Sequence, residues 1–167
     1  FSVSNCETEP VYILGNFGLE PAEHGWEIVA PKNLTFGSWK GQGMPFYGQS
    51  VKYSKILNTN KKGRFRIELP SWSGTVASVN INGKEVGIQT KSSYLTTELT
   101  QGENIIDIFV TGSLKNTLGP HHVLYPHGVA GGRPANFIKA PEKQQGGASY
   151  SLLDYRLMQD FRVSAIE

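Results

Sequence analysis

The chain has 167 residues, enough for about one domain with a buried core that needs neither disulfides nor metals. Its formal net charge of +2 is too small to indicate a nucleic-acid partner, and no apolar run approaches the roughly 20 residues of a membrane-spanning helix. The 19 glycines, 9 prolines and 11% aromatic residues indicate a β-rich body with many turns. Cys6 is the single cysteine, so no disulfide can form within the chain.

The first 48 residues predict two strands and a loop. The apolar run 11–14, followed by Gly15-Asn16, predicts a first strand closed by a turn. Residues 26–29 predict a second extended segment, which Pro31 ends. Residues 37–48 are rich in glycine and aromatic residues, and we predict a functional loop there.

Two segments then alternate between apolar and polar residues, which is typical of strands with one buried and one solvated face. Residues 50–57 predict a strand, and residues 63–69 predict another. The residues predicted to face the core are Val51, Tyr53 and Ile56 in the first strand and Phe65, Ile67 and Leu69 in the second.

Three further strands are predicted between residues 69 and 122. Residues 76–81 and 86–88 are extended and apolar, and Asn82-Gly83 stands between them. An Asn-Gly pair between apolar runs strongly indicates a hairpin, because both residues tolerate positive φ. Residues 105–110 predict the third strand.

The pattern dissolves between residues 121 and 147, where a long loop is predicted. Residues 150–163 restore a pattern that fits a strand pair or a short helix, and we favour strands because an all-β domain needs a closing strand. Short strands separated by turn signals at this spacing predict a sandwich or barrel. We expect one antiparallel β-sandwich of the jelly-roll type.

Several blocks together resemble the galactose-binding-like jelly-roll domains in the C-terminal region of large bacterial glycoside hydrolases. The blocks are VYILGNFGL at 11–19, GSWKGQGMPFYGQSVKYSK at 37–55, VNINGKEVG at 79–87, LTQGENIIDI at 99–108 and SLKNTLGPHH at 113–122. The resemblance implies that residues 1–167 are a single β-sandwich domain, excised from a longer multidomain glycoside hydrolase. It also implies an extracellular or periplasmic location and a monomer.

The resemblance implies a non-catalytic carbohydrate-binding module that targets an attached glycoside hydrolase to polysaccharide. The alternative is a structural domain that braces a neighbouring catalytic domain and binds no sugar. The expected partners are a polysaccharide or oligosaccharide and the catalytic domain of the same polypeptide, with no nucleic acid and no membrane. We do not expect an enzyme, because glycoside hydrolysis generally needs two carboxyl groups about 5–10 Å apart, and the acidic residues here are scattered.

Sugars are bound by aromatic rings that stack on the pyranose and by polar side chains that take the hydroxyls. The solvated sides of the predicted strands carry Lys52, Ser54, Arg64, Arg66, Glu68 and Ser78, with no aromatic residue among them. We therefore predict an edge-loop site between residues 37–48 and 120–133. Phe46, beside Pro45, is interpreted as a turn plug. The predicted carbohydrate-binding residues are Trp39, Tyr47, His121, His122, Tyr125 and Arg133.

No metal site and no required cofactor are predicted. Adjacent histidines on an extended chain point in opposite directions, so His121 and His122 do not converge on one ion. A structural calcium ion is possible, with Glu98, Glu103 and Asp160 as loop candidates. Related domains often carry bulkier or charged groups where this chain has Thr90, Ser92 and Thr97 around Tyr94, which weakens a ligand or cation site there.

Overall fold

A computed structural model describes residues 11–23, 25–90, 94–119, 121 and 150–166, and these residues form mostly antiparallel β structure. A 3₁₀ turn covers Lys40–Gln42, and one short helix, α1, covers Lys115–Leu118. The strands are β1 (Gly18–Ala22), β2 (Gly25–Val29), β3 (Gly37–Ser38), β4 (Ser50–Thr59), β5 (Gly63–Glu68), β6 (Trp72–Ser73), β7 (Val76–Ile81), β8 (Lys84–Gln89), β9 (Tyr94–Leu99), β10 (Gly102–Thr111), β11 (Arg156–Leu157) and β12 (Arg162–Ala165).

The described strands form four antiparallel sheets. A four-stranded sheet has the order β4-β10-β7-β8, and a three-stranded sheet has the order β12-β5-β9. A small sheet of order β3-β11-β6 and the β1-β2 hairpin add to these two. The predicted all-β antiparallel sandwich is confirmed, and its assignment to the galactose-binding-like jelly roll stays a prediction.

The core lies between the four-stranded sheet and the β12-β5-β9 sheet. Strand β10 contributes Ile106, Ile108 and Val110, which are fully buried, and the facing sheet contributes Ile67 of β5 and Leu99 of β9. All five belong to one continuous buried cluster. Alternate residues of each strand therefore turn inward, as the sequence pattern predicts.

The predicted Asn-Gly hairpin is confirmed. Asn82 and Gly83 have φ values of 52° and 82°, the positive values that a two-residue hairpin turn requires, and they connect β7 to β8. The Asn82 side chain also accepts a hydrogen bond from the Ile105 N–H, at 2.8 Å. The turn is therefore fastened to β10 as well as closing its own hairpin.

The predicted first strand at residues 11–14 is wrong. These four residues are exposed and pair with no strand among the described residues, and the first strand begins at Gly18. Strand β1 pairs with β2 instead, and Gly25 opens β2 at a φ of 88°. An apolar run forms a strand only where a second strand pairs with its backbone N–H and C=O groups. Here β2 provides such pairing for residues 18–22 and not for residues 11–14.

The predicted inward position of Ile56 is also wrong. Val51 and Ile56 are five residues apart, and an odd separation places two strand residues on opposite faces. Ile56 lies opposite Ile105 on the solvated face of the sheet, whereas Lys55 occupies the inward row. The Lys55 ammonium donates a hydrogen bond to the Phe161 carbonyl, at 2.7 Å, which compensates for the hydration that the group loses on the inward side.

The remaining strand predictions agree with the structure. Strand β5 buries Ile67 and packs Phe65 against the core, and Leu69 is buried just after it. Residues 150–163 contain the short strand β11 and the start of β12, with no helix among the described residues. The strand interpretation of this segment is therefore confirmed.

Substituting Gly83 tests the hairpin. Gly83→Ala places a Cβ at a φ of 82°, and the added methyl group meets no atom within 4 Å, so the cost is purely conformational. We expect a loss of about 1–2 kcal/mol of unfolding free energy, measured by urea denaturation. Gly63→Ala is the matched control, since Gly63 starts β5 at an ordinary φ and its Cβ would contact only the Phe65 ring, at 3.7 Å. Equal losses in both variants would contradict this assignment.

Candidate functional site

Residues 37–48 form an ordered loop that is held by its own polar side chains. Strand β3 opens the loop, and the 3₁₀ turn ends at Gly43, whose φ is 89°. The Gln42 side chain accepts a hydrogen bond from the Thr35 N–H, at 2.7 Å, and donates one to the Ser38 carbonyl, at 3.1 Å. The loop therefore holds the aromatic residues that it carries in fixed positions.

Trp39 is a core residue, and its predicted role as a sugar-stacking ring is wrong. Its side chain is only 1% exposed, so neither face of the indole can meet a ligand from solvent. The indole N–H donates a hydrogen bond to the Tyr53 hydroxyl, at 2.8 Å, and the ring packs against Tyr155 at a centroid distance of 5.8 Å. Large aromatic side chains are usually buried, and Trp39 follows this tendency although its sequence neighbours are typical of an exposed loop.

Tyr47 is half-buried at the rim of the same cluster. Its ring meets Trp39 edge to face, with centroids 6.1 Å apart, and its hydroxyl donates a hydrogen bond to the Ser50 carbonyl, at 3.0 Å. Burial raises the pKa of the Tyr47 phenol from its ordinary value. The hydroxyl already serves the fold, and the sugar-binding role of Tyr47 stays a prediction.

Four rings meet at one edge of the sandwich, and we name them the edge aromatic cluster: Trp26, Phe46, His121 and Tyr150. Phe46 lies at its centre, with ring centroids 5.5 Å from Trp26, 5.3 Å from His121 and 5.2 Å from Tyr150. Each ring is partly exposed, so together they form an aromatic surface rather than a closed core. Phe46 therefore lies at the centre of this surface. Its interpretation from the sequence as a turn plug did not include contacts with other aromatic rings.

His121 is positioned by α1. Its ring Nε2 lies 2.8 Å from the Asn116 carbonyl, so this nitrogen carries the proton and donates. Asn116 itself is buried, and its side-chain amide exchanges two hydrogen bonds with the backbone of Leu153, at 2.9 and 2.8 Å. The second ring nitrogen, Nδ1, is therefore the one left to accept a hydrogen bond from a ligand hydroxyl.

His121 is the only described residue of the predicted region 120–133, and it meets the loop 37–48 through a residue outside the predicted set. The loop 37–48 meets His121 through Phe46, whose carbonyl also accepts a hydrogen bond from the Thr117 hydroxyl, at 2.8 Å. His122, Tyr125 and Arg133 lie outside the described residues, so their roles stay predictions. Trp26 and Tyr150 were missed because they come from distant segments, and no local pattern shows that those segments converge.

The Trp26 indole N–H is an unusual feature of the cluster. This nitrogen is buried and has no hydrogen-bond partner among the described residues. Buried polar groups in native proteins are nearly always paired, because an unpaired one loses its hydration without compensation. The cluster therefore contains one donor that no described residue satisfies.

The solvated sheet faces also differ from the prediction that they carry no aromatic residue. Tyr94 lies opposite Glu68 on the outer side of the β12-β5-β9 sheet. Phe109 lies opposite Lys52 on the outer side of the four-stranded sheet. The sequences around Tyr94 and Phe109 do not alternate clearly between apolar and polar residues. The outward direction of these two side chains therefore becomes clear only from the pairing with the neighbouring strand.

No group of three histidine, cysteine, aspartate or glutamate side chains within the described part of the chain is placed to hold a metal ion. Two of the calcium candidates are engaged elsewhere. Glu98 forms an ion pair with Lys62, at 3.0 Å, and Asp160 forms one with Lys55, at 2.7 Å. Among the described helices, none has the length and apolar character needed to cross a membrane.

No protein-family model matches the chain, and no curated protein matches it. Two solved structures of a family GH2 β-galacturonidase from Eisenbergiella tayi, bound to glycerol and to galacturonate, are similar at 22% sequence identity and a TM-score of 0.38. The match covers 59% of this chain and 18% of the β-galacturonidase chain. A likeness at this level decides neither the fold nor the function of this chain, which rest on its own residues.

Removing the Trp39 ring tests its assignment to the core. We expect Trp39→Ala to lower the unfolding free energy by about 3–5 kcal/mol, because it leaves a large cavity and removes the indole hydrogen bond to the Tyr53 hydroxyl, which keeps its bond with the Leu157 backbone. Phe36→Ala is the matched control: the Phe36 ring is exposed and stacks on Tyr53 with centroids 5.7 Å apart, so its loss should cost about 1 kcal/mol. A Trp39→Ala protein with parental stability in urea would contradict the assignment.

Proposed function

We propose that this chain is a non-catalytic carbohydrate-binding domain attached to a glycoside hydrolase, and that the edge aromatic cluster holds the sugar. The observation that carries the proposal is the meeting of four partly exposed rings at one edge of the sandwich. The sequence blocks that resemble accessory domains of bacterial glycoside hydrolases support the attachment to such an enzyme. The ligand is a polysaccharide or an oligosaccharide cut from one.

The chemistry of the cluster suits a pyranose. Aromatic rings bury the apolar C–H face of a sugar at low conformational cost, because an aromatic side chain has only two χ angles. His121 supplies Nδ1 as a hydrogen-bond acceptor, and Tyr150 supplies a phenol at the same surface. Binding that shifts the Trp26 ring slightly outward would also pair its indole N–H with a sugar hydroxyl.

The non-catalytic part of the proposal rests on the side chains of the cluster. Two carboxyl groups would have to flank a scissile glycosidic bond, and none of the four cluster residues is acidic. Glu20, Glu98 and Asp160 are each held in an ion pair with a lysine. A monomeric domain outside the cytoplasm, in the periplasm or beyond the cell, agrees with the resemblance and remains part of the proposal.

A second candidate function is a brace for a neighbouring catalytic domain. The outer face of the four-stranded sheet favours it, since Ile56 and Ile105 lie directly opposite one another there and are 62% and 41% exposed. Ile88, on the outer side of the edge strand β8, is exposed as well. Exposed aliphatic side chains on adjoining strands are typical of an interface with another protein surface.

Affinity electrophoresis against a panel of neutral polysaccharides tests the carbohydrate-binding proposal. We expect at least one polysaccharide to retard the parent chain, and calorimetry should show that Trp26→Leu and Tyr150→Leu each weaken the affinity by about 5- to 150-fold. This range corresponds to about 1–3 kcal/mol for the burial of one ring. Phe36→Leu is the control, because it removes an exposed ring outside the cluster.

Retardation that is unchanged by Trp26→Leu and Tyr150→Leu would place the sugar elsewhere on the domain. No retardation on any polysaccharide would contradict the proposal and favour the brace. In that case Ile56→Thr with Ile105→Thr should lower the thermal midpoint of the longer polypeptide while leaving that of the isolated 167-residue chain nearly unchanged.

A further inference from the structure

The outer side of the β12-β5-β9 sheet combines cationic side chains with one exposed aromatic ring. We name it the arginine face, defined by Arg64, Arg66, Arg162 and Tyr94. Strand β5 lies in the middle and carries two of the arginines, β12 carries the third, and β9 carries the tyrosine. This surface belongs to a different sheet from the apolar Ile56 and Ile105 pair.

The strand register places these side chains on one face. Glu68 lies opposite Arg162 on one side and opposite Tyr94 on the other, so these three residues form a row across the sheet. Arg66 lies two residues before Glu68 and therefore projects from the same face. Val163 and Leu95, their neighbours in sequence, pack against the core, which fixes the outward direction of the rows.

The charge on this face is only partly compensated. Arg66 lies 3.7 Å from the Glu68 carboxylate, and the other carboxylate of the face, Glu98, is already paired with Lys62. Arg64 and Arg162 form no ion pair with any described residue, although both are exposed. Two guanidinium groups are therefore left to bind an anion from solvent.

The tyrosine ring adds an apolar element beside this charge. Tyr94 is 49% exposed, and the Arg66 guanidinium lies over its ring at 4.6 Å from the centroid. This cation–π contact positions a fork of N–H donors next to an aromatic surface. A ligand that meets both groups must carry an anion beside an apolar patch.

We propose that the arginine face binds the uronate residues of an acidic polysaccharide. A uronate carries a carboxylate on the same pyranose ring whose C–H face packs on aromatic groups, which matches the guanidinium and phenol placed together here. Arginine suits this carboxylate because its planar fork donates two parallel hydrogen bonds. Arg64 and Arg66 are two residues apart along β5, about 7 Å, so a polymer whose acidic group packs beside the Arg66–Tyr94 pair also lies within reach of the Arg64 side chain.

This proposal rests on the proposed function in that the ligand is a saccharide, but it concerns a second surface. The edge aromatic cluster contains no lysine or arginine and would serve the neutral part of a polysaccharide. The two surfaces can therefore be tested independently, with variants that change one and leave the other intact.

Affinity electrophoresis of the 167-residue chain in gels that contain polygalacturonate or alginate tests the proposal. We expect both polyuronates to retard the chain and methyl-esterified polygalacturonate, which lacks most of the charge, to retard it much less. Arg64→Gln, Arg66→Gln and Arg162→Gln should each weaken binding about three- to tenfold. Tyr94→Leu, which keeps an apolar side chain and removes the ring, should weaken it to a similar degree.

Two controls separate specific recognition from simple charge attraction. Lys52→Gln makes the same change in charge at an exposed position on the other sheet, and it should leave the retardation nearly unchanged. Poly-L-glutamate should retard the chain less than the polyuronates do. Equal retardation by poly-L-glutamate, or an equal effect of Lys52→Gln, would overturn the proposal in favour of nonspecific attraction to an acidic polymer or protein.

The remaining outcomes distinguish this inference from the proposed function. If a neutral polysaccharide retards the chain and the polyuronates do not, the inference fails and the edge aromatic cluster keeps its role. If no polysaccharide of either kind retards the chain, both fail. If Trp26→Leu abolishes polyuronate binding while the arginine variants leave it intact, the acidic polymer binds at the edge and the inference again fails.

Discussion

The fold depends on the register of β10. This strand pairs with β4 along its whole length and with β7 along its second half, so it holds the four-stranded sheet together. Its inward residues are fully buried, and a slip of one residue would turn every one of them to solvent.

Asn104 fixes this register near the start of the strand. The buried side-chain amide of Asn104 donates hydrogen bonds to the carbonyls of Thr100 and Gly102, at 2.8 and 3.1 Å, and accepts one from the Thr100 N–H, at 3.1 Å. The turn before β10 is thus closed by the strand's own side chain. These hydrogen bonds are shielded from water. Removing the Asn104 side chain would therefore leave several buried backbone groups without a hydrogen-bond partner.

Local sequence rules predicted the parts of the fold that local chemistry decides. The Asn82-Gly83 turn follows from backbone sterics alone, and the alternation in β5 follows from one buried and one solvated face. The failures have tertiary causes. Residues 11–14 have the pattern of a strand but pair with no strand among the residues that the structure describes. Ile56 faces solvent because strand alternation places it on the face opposite to Val51, despite its apolar character.

The sequence predicts one contact of the edge aromatic cluster and misses most of its members. The meeting of the loop 37–48 with His121 was anticipated, whereas the choice of Trp39 was wrong because a glycine-rich sequence does not show that the chain folds over its own indole. Trp26 and Tyr150 reach Phe46 from a hairpin and from a segment more than 100 residues later. Only the assembled sandwich brings them together.

The described surface therefore divides into an aromatic edge, an aliphatic sheet face and an arginine-rich sheet face. Each has a chemistry suited to a different contact: the C–H face of a sugar, the surface of another domain and an acidic group. The loop 37–48, which buried aromatic residues hold in place, lies beside the aromatic edge. We propose that saccharide binds at the aromatic edge.

Nuclear magnetic resonance of the indole N–H groups tests that claim most directly, because the chain has 3 tryptophans and each gives its own side-chain signal. Titration with an oligosaccharide of a polysaccharide that retards the chain should shift the Trp26 indole signal, since this N–H lies in the cluster and has no hydrogen-bond partner in the described part of the chain. The Trp39 signal should stay in place, because that N–H is buried and bonded to Tyr53. Saturating oligosaccharide that leaves the Trp26 signal unmoved would contradict the account.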